Sequence, residues 1–162
     1  MNARTVLMAA LAVAAASCTT YSPSGFSPGT SAAQVEQSMG RPTGEYRNID
    51  GSRTLEFARG PMGKHTYMLD FDAQDRLVKW EQVLNESTFF SLTPGMTSDQ
   101  VLRRIGHPSD VRYLPRQEEQ VWSYRYDTPF CLWFQVNLDK TNHLVGAGNG
   151  PDPLCPEGRS RD

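Results

Sequence analysis

Hydrophobic and polar residues alternate along two neighbouring stretches in the second half of the chain. The first stretch runs from Trp122 to Asp127, and the second runs from Leu132 to Asp139. A period of two is the pattern of a β-strand that buries one face. The second stretch leads into the turn-forming residues Asp139, Lys140, Thr141 and Asn142. This part of the chain therefore predicts an antiparallel β-hairpin.

The first half of the chain repeats this pattern. The segment 28–42 returns as 94–108, with Pro, Gly, Gln, Val, Gly and Pro at matching places. Once one residue has been inserted in the second copy, Leu55 and Phe57 match Trp122 and Tyr124. A repeat of this length indicates a duplicated supersecondary unit. A third strand, through Val78 and the residues after it, is expected at the end of each copy.

Each copy is predicted to begin with a short helix. The segments Ser31–Gln34 and Thr97–Gln100 both have the form of a capping box. Each helix is expected to end at a glycine, Gly40 or Gly106, because glycine adopts the left-handed conformation and a proline follows two positions later. A further helical turn is expected within residues 87–92.

Together these elements predict an α+β fold. It consists of two tandem helix-helix-three-strand units, with short helices on one face of antiparallel sheet and the other face exposed to water. The expected organisation is a signal peptide over residues 1–17, a flexible tether over 18–27, repeat unit 1 over 28–93, repeat unit 2 over 94–150 and a C-terminal tail over 151–162.

The amino terminus has the form of an export signal. Arg4 precedes an unbroken apolar run from Val6 to Ala16, and small residues lead to Cys18. The run is shorter than the about 20 residues that a membrane-spanning helix needs. Cys18 directly after small residues resembles a bacterial lipobox, which implies a lipid anchor at Cys18. The alternative is an exported protein that is cleaved nearby and carries no lipid.

Charge disfavours two classes of partner. The net charge is −2, and acidic and basic residues are interspersed along the chain. No basic stripe is available for nucleic acid, and no polybasic patch is available for anionic lipid. No nucleic-acid partner is therefore expected, and membrane association is expected only through a lipid anchor.

Two further cysteines lie in the second half of the chain. A disulfide between Cys131 and Cys155 would persist in an oxidising compartment and would tie the tail to the last strands. Such a bridge contributes on the order of 3 kcal/mol in the chain-entropy model. The alternative is that both remain buried thiols.

One face of the second unit is a candidate partner-binding surface. Trp133 is out of phase with the predicted core residue Phe134, so it should point to the water-facing side of the sheet. A large aromatic residue on such a face can anchor an interface. The candidate surface consists of Trp133 with Arg125, Phe130 and Gln135. Coverage of Trp133 by the tail or by a neighbouring strand is the alternative.

The sequence favours a protein that is not an enzyme. Spacings typical of activated serine or cysteine nucleophiles, zinc proteases and phosphate-binding loops do not occur. His107 and His143 stand where the first copy has Arg41 and Arg76, which favours solvated polar positions over metal ligands. No cofactor or metal is expected. A nucleophilic Cys131 or Cys155 paired with a histidine is the enzymatic alternative.

The run from Pro94 to Thr97, with Gln100-Val101 and the Gly106-x-Pro108 ending, resembles the signature of the outer-membrane assembly lipoproteins called BamE, SmpA or OmlA. That family implies a domain held at the periplasmic face of the outer membrane, where it supports the machinery that inserts β-barrel proteins. The tandem arrangement is similar to β-lactamase inhibitory protein, which implies a concave partner-binding sheet.

These resemblances lead to two expectations of function. The first is an outer-membrane-anchored periplasmic lipoprotein that contacts other envelope proteins, among them the barrel-assembly machinery, in outer-membrane protein assembly or envelope integrity. The second is a protein inhibitor of a periplasmic hydrolase.

Overall fold

The structure is a computed structural model, and it describes residues 21–154. The predicted signal peptide, Cys18 and Cys155 lie outside these residues. Two four-stranded antiparallel sheets follow one another, each with its strands in chain order. The first sheet contains β1 (Gly44–Arg47), β2 (Arg53–Ala58), β3 (Thr66–Phe71) and β4 (Leu77–Gln82). The second contains β5 (Asp110–Leu114), β6 (Glu119–Arg125), β7 (Leu132–Leu138) and β8 (Leu144–Pro151).

The three described helices are short, and the first and third begin where the capping boxes predicted. They are α1 (Ala32–Met39), α2 (Glu86–Phe89) and α3 (Ser98–Ile105), and a single 3₁₀ turn covers Pro23–Gly25. Both capping boxes are formed, since the cap hydroxyl of Ser31 or Thr97 accepts from the backbone three residues on while the glutamine side chain reaches back. Gly40 and Gly106 end α1 and α3 with φ of 86° and 78°. The predicted starts and glycine ends of both helices are confirmed.

The predicted α+β class with helix-helix-three-strand units is wrong. The described chain is mostly β, and each sheet has four strands. The missed strands are β1 and β5, which are short, lie at sheet edges and are largely exposed. Strands of four and five residues carry too few positions for alternation to identify them. Apart from α1 and α3, helical structure among the described residues is limited to the 3₁₀ turn Pro23–Gly25 before α1 and the four-residue α2 before α3.

Each helix packs on one face of its own sheet. The core of the first unit consists of buried side chains from α1 and the first sheet: Ala32, Val35, Met39, Leu55, Phe57, Leu69, Phe71 and Leu77. The core of the second unit contains the corresponding residues and more aromatic ones: Leu84, Phe89, Val101, Ile105, Trp122, Tyr124, Tyr126, Phe134, Val136, Leu138 and Leu144. These helices are too short to be stable alone, so burial against the sheet holds them in place.

The two units correspond residue by residue. The start of each helix forms a bridge to the turn before the last strand, Ser31 with Arg76 and Thr97 with His143. Each sheet has a β-bulge at the same place, next to Phe71 in β3 and next to Leu138 in β7. Residues at equivalent positions can therefore be compared directly.

Candidate protein-contact surface

The end of α3 lies on the first sheet, on the face opposite to α1. Leu102 of α3 packs there against a small cluster of buried residues, Tyr46, Met68 and Val83. Arg103, the next residue, lies over the ring of Tyr46, with its guanidinium carbon 5.5 Å from the ring centroid. The second unit thus covers a face that the sequence predicted to be wet.

A buried carboxylate holds this junction together. Glu56 of β2 is completely buried, at 0% exposure, between the core residues Leu55 and Phe57. Its side chain accepts hydrogen bonds from the Tyr46 hydroxyl at 2.7 Å and from the Thr43 hydroxyl at 3.0 Å. From the second unit, the His107 backbone N–H donates at 3.0 Å, and its Nδ1 lies 2.8 Å from the carboxylate.

The buried carboxyl group of Glu56 is fully hydrogen-bonded. Each of its oxygens is within hydrogen-bond distance of two partners, as a buried polar group requires. Burial, followed by the hydrogen bond to Glu56, raises the pKa of Tyr46 well above its ordinary value, so this phenol remains a donor. Burial also raises the pKa of Tyr124, whose hydroxyl donates to the Gly106 carbonyl at 3.1 Å. The hydrogen-bonded cluster around Glu56 therefore joins the two units through polar contacts.

Gly106 is required at this contact for two reasons. Its φ of 78° is unfavourable for other residues. A Cβ at this position would also lie 2.8 Å from Thr66 Cγ2 and 3.0 Å from the Glu56 carboxyl carbon. Only glycine lets the end of α3 approach the first sheet this closely.

The equivalent face of the second sheet is not covered by a helix among the described residues. Arg112, Ser123 and Gln135 stand where the first sheet has Tyr46, Glu56 and Met68. They border a concavity of about 270 Å³, whose lining consists of Arg112, Leu114, Val121, Ser123, Gln135 and Asn137. We call these six residues the open face.

The open face is ordered by its own side chains. The Gln135 amide donates to the Ser123 hydroxyl at 3.1 Å, and the Asn137 amide donates to Glu119 at 3.1 Å. Val121 and Ser123 are buried beneath these longer side chains, whereas Arg112 is exposed. The result is a shallow polar surface with one cation at its edge.

Two of the four residues predicted for partner binding are buried. Trp133 does point away from α3, as the alternation predicted, but it is only 5% exposed, and Arg125 is 9% exposed. The Arg125 guanidinium lies 5.3 Å from the Trp133 ring centroid. It also binds Asp152 with two hydrogen bonds of 2.7 and 3.1 Å and donates to the Pro61 carbonyl at 2.6 Å. The prediction of an exposed Trp133 anchor is therefore wrong.

The Arg125 contacts fix the far end of the second sheet. Burial alone would raise the pKa of Asp152, but the hydrogen bonds from Arg125 and from the Leu154 backbone N–H, together with the positive charges of Arg125 and Lys64, outweigh it and hold that pKa below its usual value. Since Pro61 belongs to the first unit, Arg125 is a second junction between the units. Asp152, the first residue after β8, thus binds the Arg125 guanidinium that lies over Trp133.

The other two predicted residues are accessible. Gln135 is half-buried on the open face, and Phe130 is 76% exposed in the loop between β6 and β7. Cys131, which follows Phe130, is disulfide-bonded. Since Cys18 and Cys155 both lie outside the described residues, its pairing with Cys155 stays a prediction.

Sequence reasoning missed the Glu56 junction and Arg112. Strand alternation assigns a charged residue between two core residues to solvent, and nothing local to β2 shows that its other face is covered. One signal was present: Leu102 stands where α1 has Glu36, so α3 alone carries an apolar residue on its second face. That difference between the copies marks the helix that docks on a neighbouring sheet.

Two further properties concern the described residues, 21–154. No group of three or more histidine, cysteine or acidic side chains there is arranged to hold a metal ion. Within the same range, none of the helices has the length and apolar character needed to cross a membrane.

No protein-family model matches the chain, and no curated protein matches it. Two solved structures align with it at 13% identity: an extracellular protein with an SCP domain from Bacillus anthracis str. Ames, with a TM-score of 0.29, and a cysteine-rich secretory protein from Staphylococcus aureus subsp. aureus Mu50, with a TM-score of 0.30. Each alignment covers 76% of this chain and 44% of the other protein. At these scores the alignments carry no argument about function.

Proposed function

We propose that this chain is a non-enzymatic lipoprotein of the bacterial envelope, anchored through Cys18 at the periplasmic side of the outer membrane. It acts by protein-protein contact in outer-membrane protein assembly or envelope integrity. The contact is made by the open face of the second sheet. The observation that carries the proposal is the difference between two equivalent faces, one covered by α3 and the other not covered by any helix in the described part of the chain.

The internal junction indicates how such a face is used. On the first sheet the occupant is the end of a short helix, which is held by a buried cluster around Glu56 and by apolar contacts of Leu102. The second sheet has the same geometry, but the residues that stand in place of Tyr46 and Met68 are the polar residues Arg112 and Gln135. Interfaces that form and dissociate are about as polar as ordinary protein surface, whereas permanent contacts are more apolar. The polar side chains of the open face therefore suit a contact that forms after this domain has folded and that can dissociate again.

The composition of the open face also suits recognition. Arginine is enriched at interfaces because its planar group makes several hydrogen bonds and still packs well. Arg112 offers that group at the rim, while Gln135 and Asn137 provide amides that both donate and accept. Phe130 adds an exposed aromatic ring in the β6–β7 loop.

The anchor can be tested separately from the surface. Detergent phase partitioning should place the wild-type protein in the detergent phase and Cys18→Ala in the aqueous phase. A Cys18→Ala variant that still enters the detergent phase would contradict the anchor and leave the contact surface untouched.

Site-specific photocrosslinking in intact cells tests the surface. A crosslinker at Gln135 should capture proteins of the barrel-assembly machinery, identified by mass spectrometry. The matched control is Gln74, an exposed glutamine in the β3–β4 turn of the first unit. Adding Arg112→Glu should reduce capture at Gln135. Equal capture at both positions would contradict the open face, and inhibition of a periplasmic hydrolase by the Cys18→Ala protein would favour the inhibitor function.

A further inference from the structure

The outermost strand of the second sheet differs from the other edge strands of the molecule. Charged residues occur in each of the other three: Glu45 and Arg47 in β1, Lys79 and Glu81 in β4, and Asp110 and Arg112 in β5. β8 runs from Leu144 to Pro151 without a charge. Charges on edge strands prevent pairing with other chains, so an uncharged edge of this length is free to pair.

The first position of this edge is already paired by strand-like contacts within the chain. The Gly95 N–H donates to the Leu144 carbonyl at 2.8 Å, and the Leu144 N–H donates to the Met96 carbonyl at 2.7 Å. The segment of Gly95 and Met96 then leaves the edge. A segment that paired with the rest of β8 would continue the backbone hydrogen bonds that Gly95 and Met96 make with Leu144.

The backbone groups that point outward can be assigned. At the far end, the Asp152 N–H donates to the Cys131 carbonyl at 3.1 Å, across the ladder between β7 and β8. Hydrogen-bonded pairs alternate in an antiparallel ladder, so the N–H groups of Ala147 and Asn149 point away from β7. Pro151 is the next outward position, where the missing N–H costs no ladder bond. Among the described residues no strand pairs with this side of β8.

An apolar groove lies beside the same edge. It has a volume of about 310 Å³, and its lining includes Phe89, Phe90, Leu92 and Ala147. Phe90 is 84% exposed, although it directly follows α2 and its backbone N–H is bound to the Glu86 carbonyl. Alternate side chains of an added strand would fall into this groove.

The other side of the edge is bare because of two glycines. Gly146 and Gly148 pair with Asn137 and Gln135, and their equivalents in β4 are Lys79 and Glu81. Neither glycine has a positive φ, and a Cβ at either position would meet nothing within 4 Å. Large side chains of an added strand would find room beside them, as aromatic residues do across from strand glycines.

We propose that β8 binds an extended segment of another protein as a fifth antiparallel strand. The segment is uncharged and carries large apolar or aromatic side chains at alternate positions, with backbone hydrogen bonds at Ala147 and Asn149 and side chains in the Phe90 groove. This site lies at the sheet edge next to the open face, since Gly146 and Gly148 pair with Asn137 and Gln135. The proposal does not depend on the lipid anchor or on the proposed function.

Binding of a synthetic peptide to the full-length Cys18→Ala protein tests the proposal. The probe is an acetylated and amidated peptide of about eight residues in which Val and Tyr alternate with Thr. Its control is the same peptide with N-methyl groups on alternate residues, which keeps the side chains and removes the donors that β8 would pair with. Fluorescence anisotropy should show binding of the first peptide and at least about tenfold weaker binding of the second.

Two variants of the protein address the same edge. Ala147→Pro removes an outward N–H without removing a bond to β7, and Gly146→Lys with Gly148→Glu reproduces the charges of β4. Both changes should lower the affinity for the peptide by about tenfold or more. Gln74→Lys with Gln117→Glu places the same charges on exposed turns and should leave binding unchanged. Circular dichroism checks folding; if Ala147→Pro unfolds, the glycine double variant decides the test.

Three outcomes would overturn the proposal. The first is no binding of the unmodified peptide up to about 1 mM. The second is equal binding of the N-methylated peptide, which would indicate a groove without strand pairing. The third is a concentration-dependent dimer that the β8 variants abolish and that the peptide does not displace, which would make a second copy of the chain the occupant.

Discussion

The two sheets have the same strand order and equivalent faces, yet within residues 21–154 only the first is covered by a helix of its neighbour. On the first sheet Glu56 is buried and accepts hydrogen bonds from both units. On the second sheet the equivalent residue is Ser123, whose hydroxyl is bound by Gln135 of the same sheet. Duplication of a unit therefore does not duplicate its surfaces, because each copy has different neighbours. The interactions that cause the difference can be removed one at a time.

The largest effect is expected from Gly106→Ala. The side chain would be strained at this backbone conformation and would also clash with Thr66, so we expect a loss of about 4 kcal/mol in the free energy of unfolding. Gly40→Ala is the matched control, since Gly40 has a φ of 86° but an added Cβ meets nothing within 4 Å. It should cost only about 2 kcal/mol. Urea unfolding measures both, and equal losses would show that α3 does not approach the first sheet closely.

A smaller loss is expected from Glu56→Ala. Removal of the carboxylate leaves the Tyr46 hydroxyl and the His107 N–H buried without an acceptor, which should cost about 3 kcal/mol in the free energy of unfolding. The equivalent change on the second sheet, Ser123→Ala, removes one hydrogen bond and should cost about 1 kcal/mol. Urea unfolding of both variants in the same buffer provides the comparison. Similar losses would mean that the two faces are energetically alike.

The smallest effect concerns Asp152 and depends on pH. Because the pKa of Asp152 is lowered in the folded state, its carboxylate stabilises the fold above its unfolded pKa of about 3.9, and this contribution is lost as the pH falls through the folded pKa. At pH 7 Asp152→Asn should cost about 1 kcal/mol, because the bidentate bond to Arg125 is lost. The difference from wild type should shrink as the pH falls below about 4. A difference that stays constant down to pH 2 would contradict this role.

The sequence predicted the parts of the fold that depend on neighbouring residues. The capping boxes and the central strands β2, β3, β6 and β7 follow from spacing and alternation, and the structure confirms the helix starts. The edge strand β5 was missed because Val111 and Tyr113 alternate with polar residues over only five positions, and both of these apolar side chains are exposed. An edge strand has a neighbouring strand on one side only, and this difference from an interior strand is not visible in its own sequence.

The candidate site could be predicted only in part, for the same reason. Alternation placed Trp133 and Gln135 on the correct side of the second sheet. It could not show that Arg125 would fold over Trp133, since that contact depends on Asp152 and on Pro61, 64 residues away from Arg125 in the chain. Nor could it show that Glu56 is buried, which depends on a helix from the other unit. Long-range coverage decides which polar residues are surface residues.

The docking of α3 on the preceding sheet gives the duplicated chain a direction. Each added repeat would shield the sheet before it and present a fresh one, as in linear arrays whose stability is a sum of repeat and nearest-neighbour contributions. The exchange of Tyr46 and Met68 for Arg112 and Gln135 gives the second sheet a more polar face than the first. Variation at Arg112 and Gln135 can therefore alter the open face without removing the Glu56 and Arg125 contacts that join the two units.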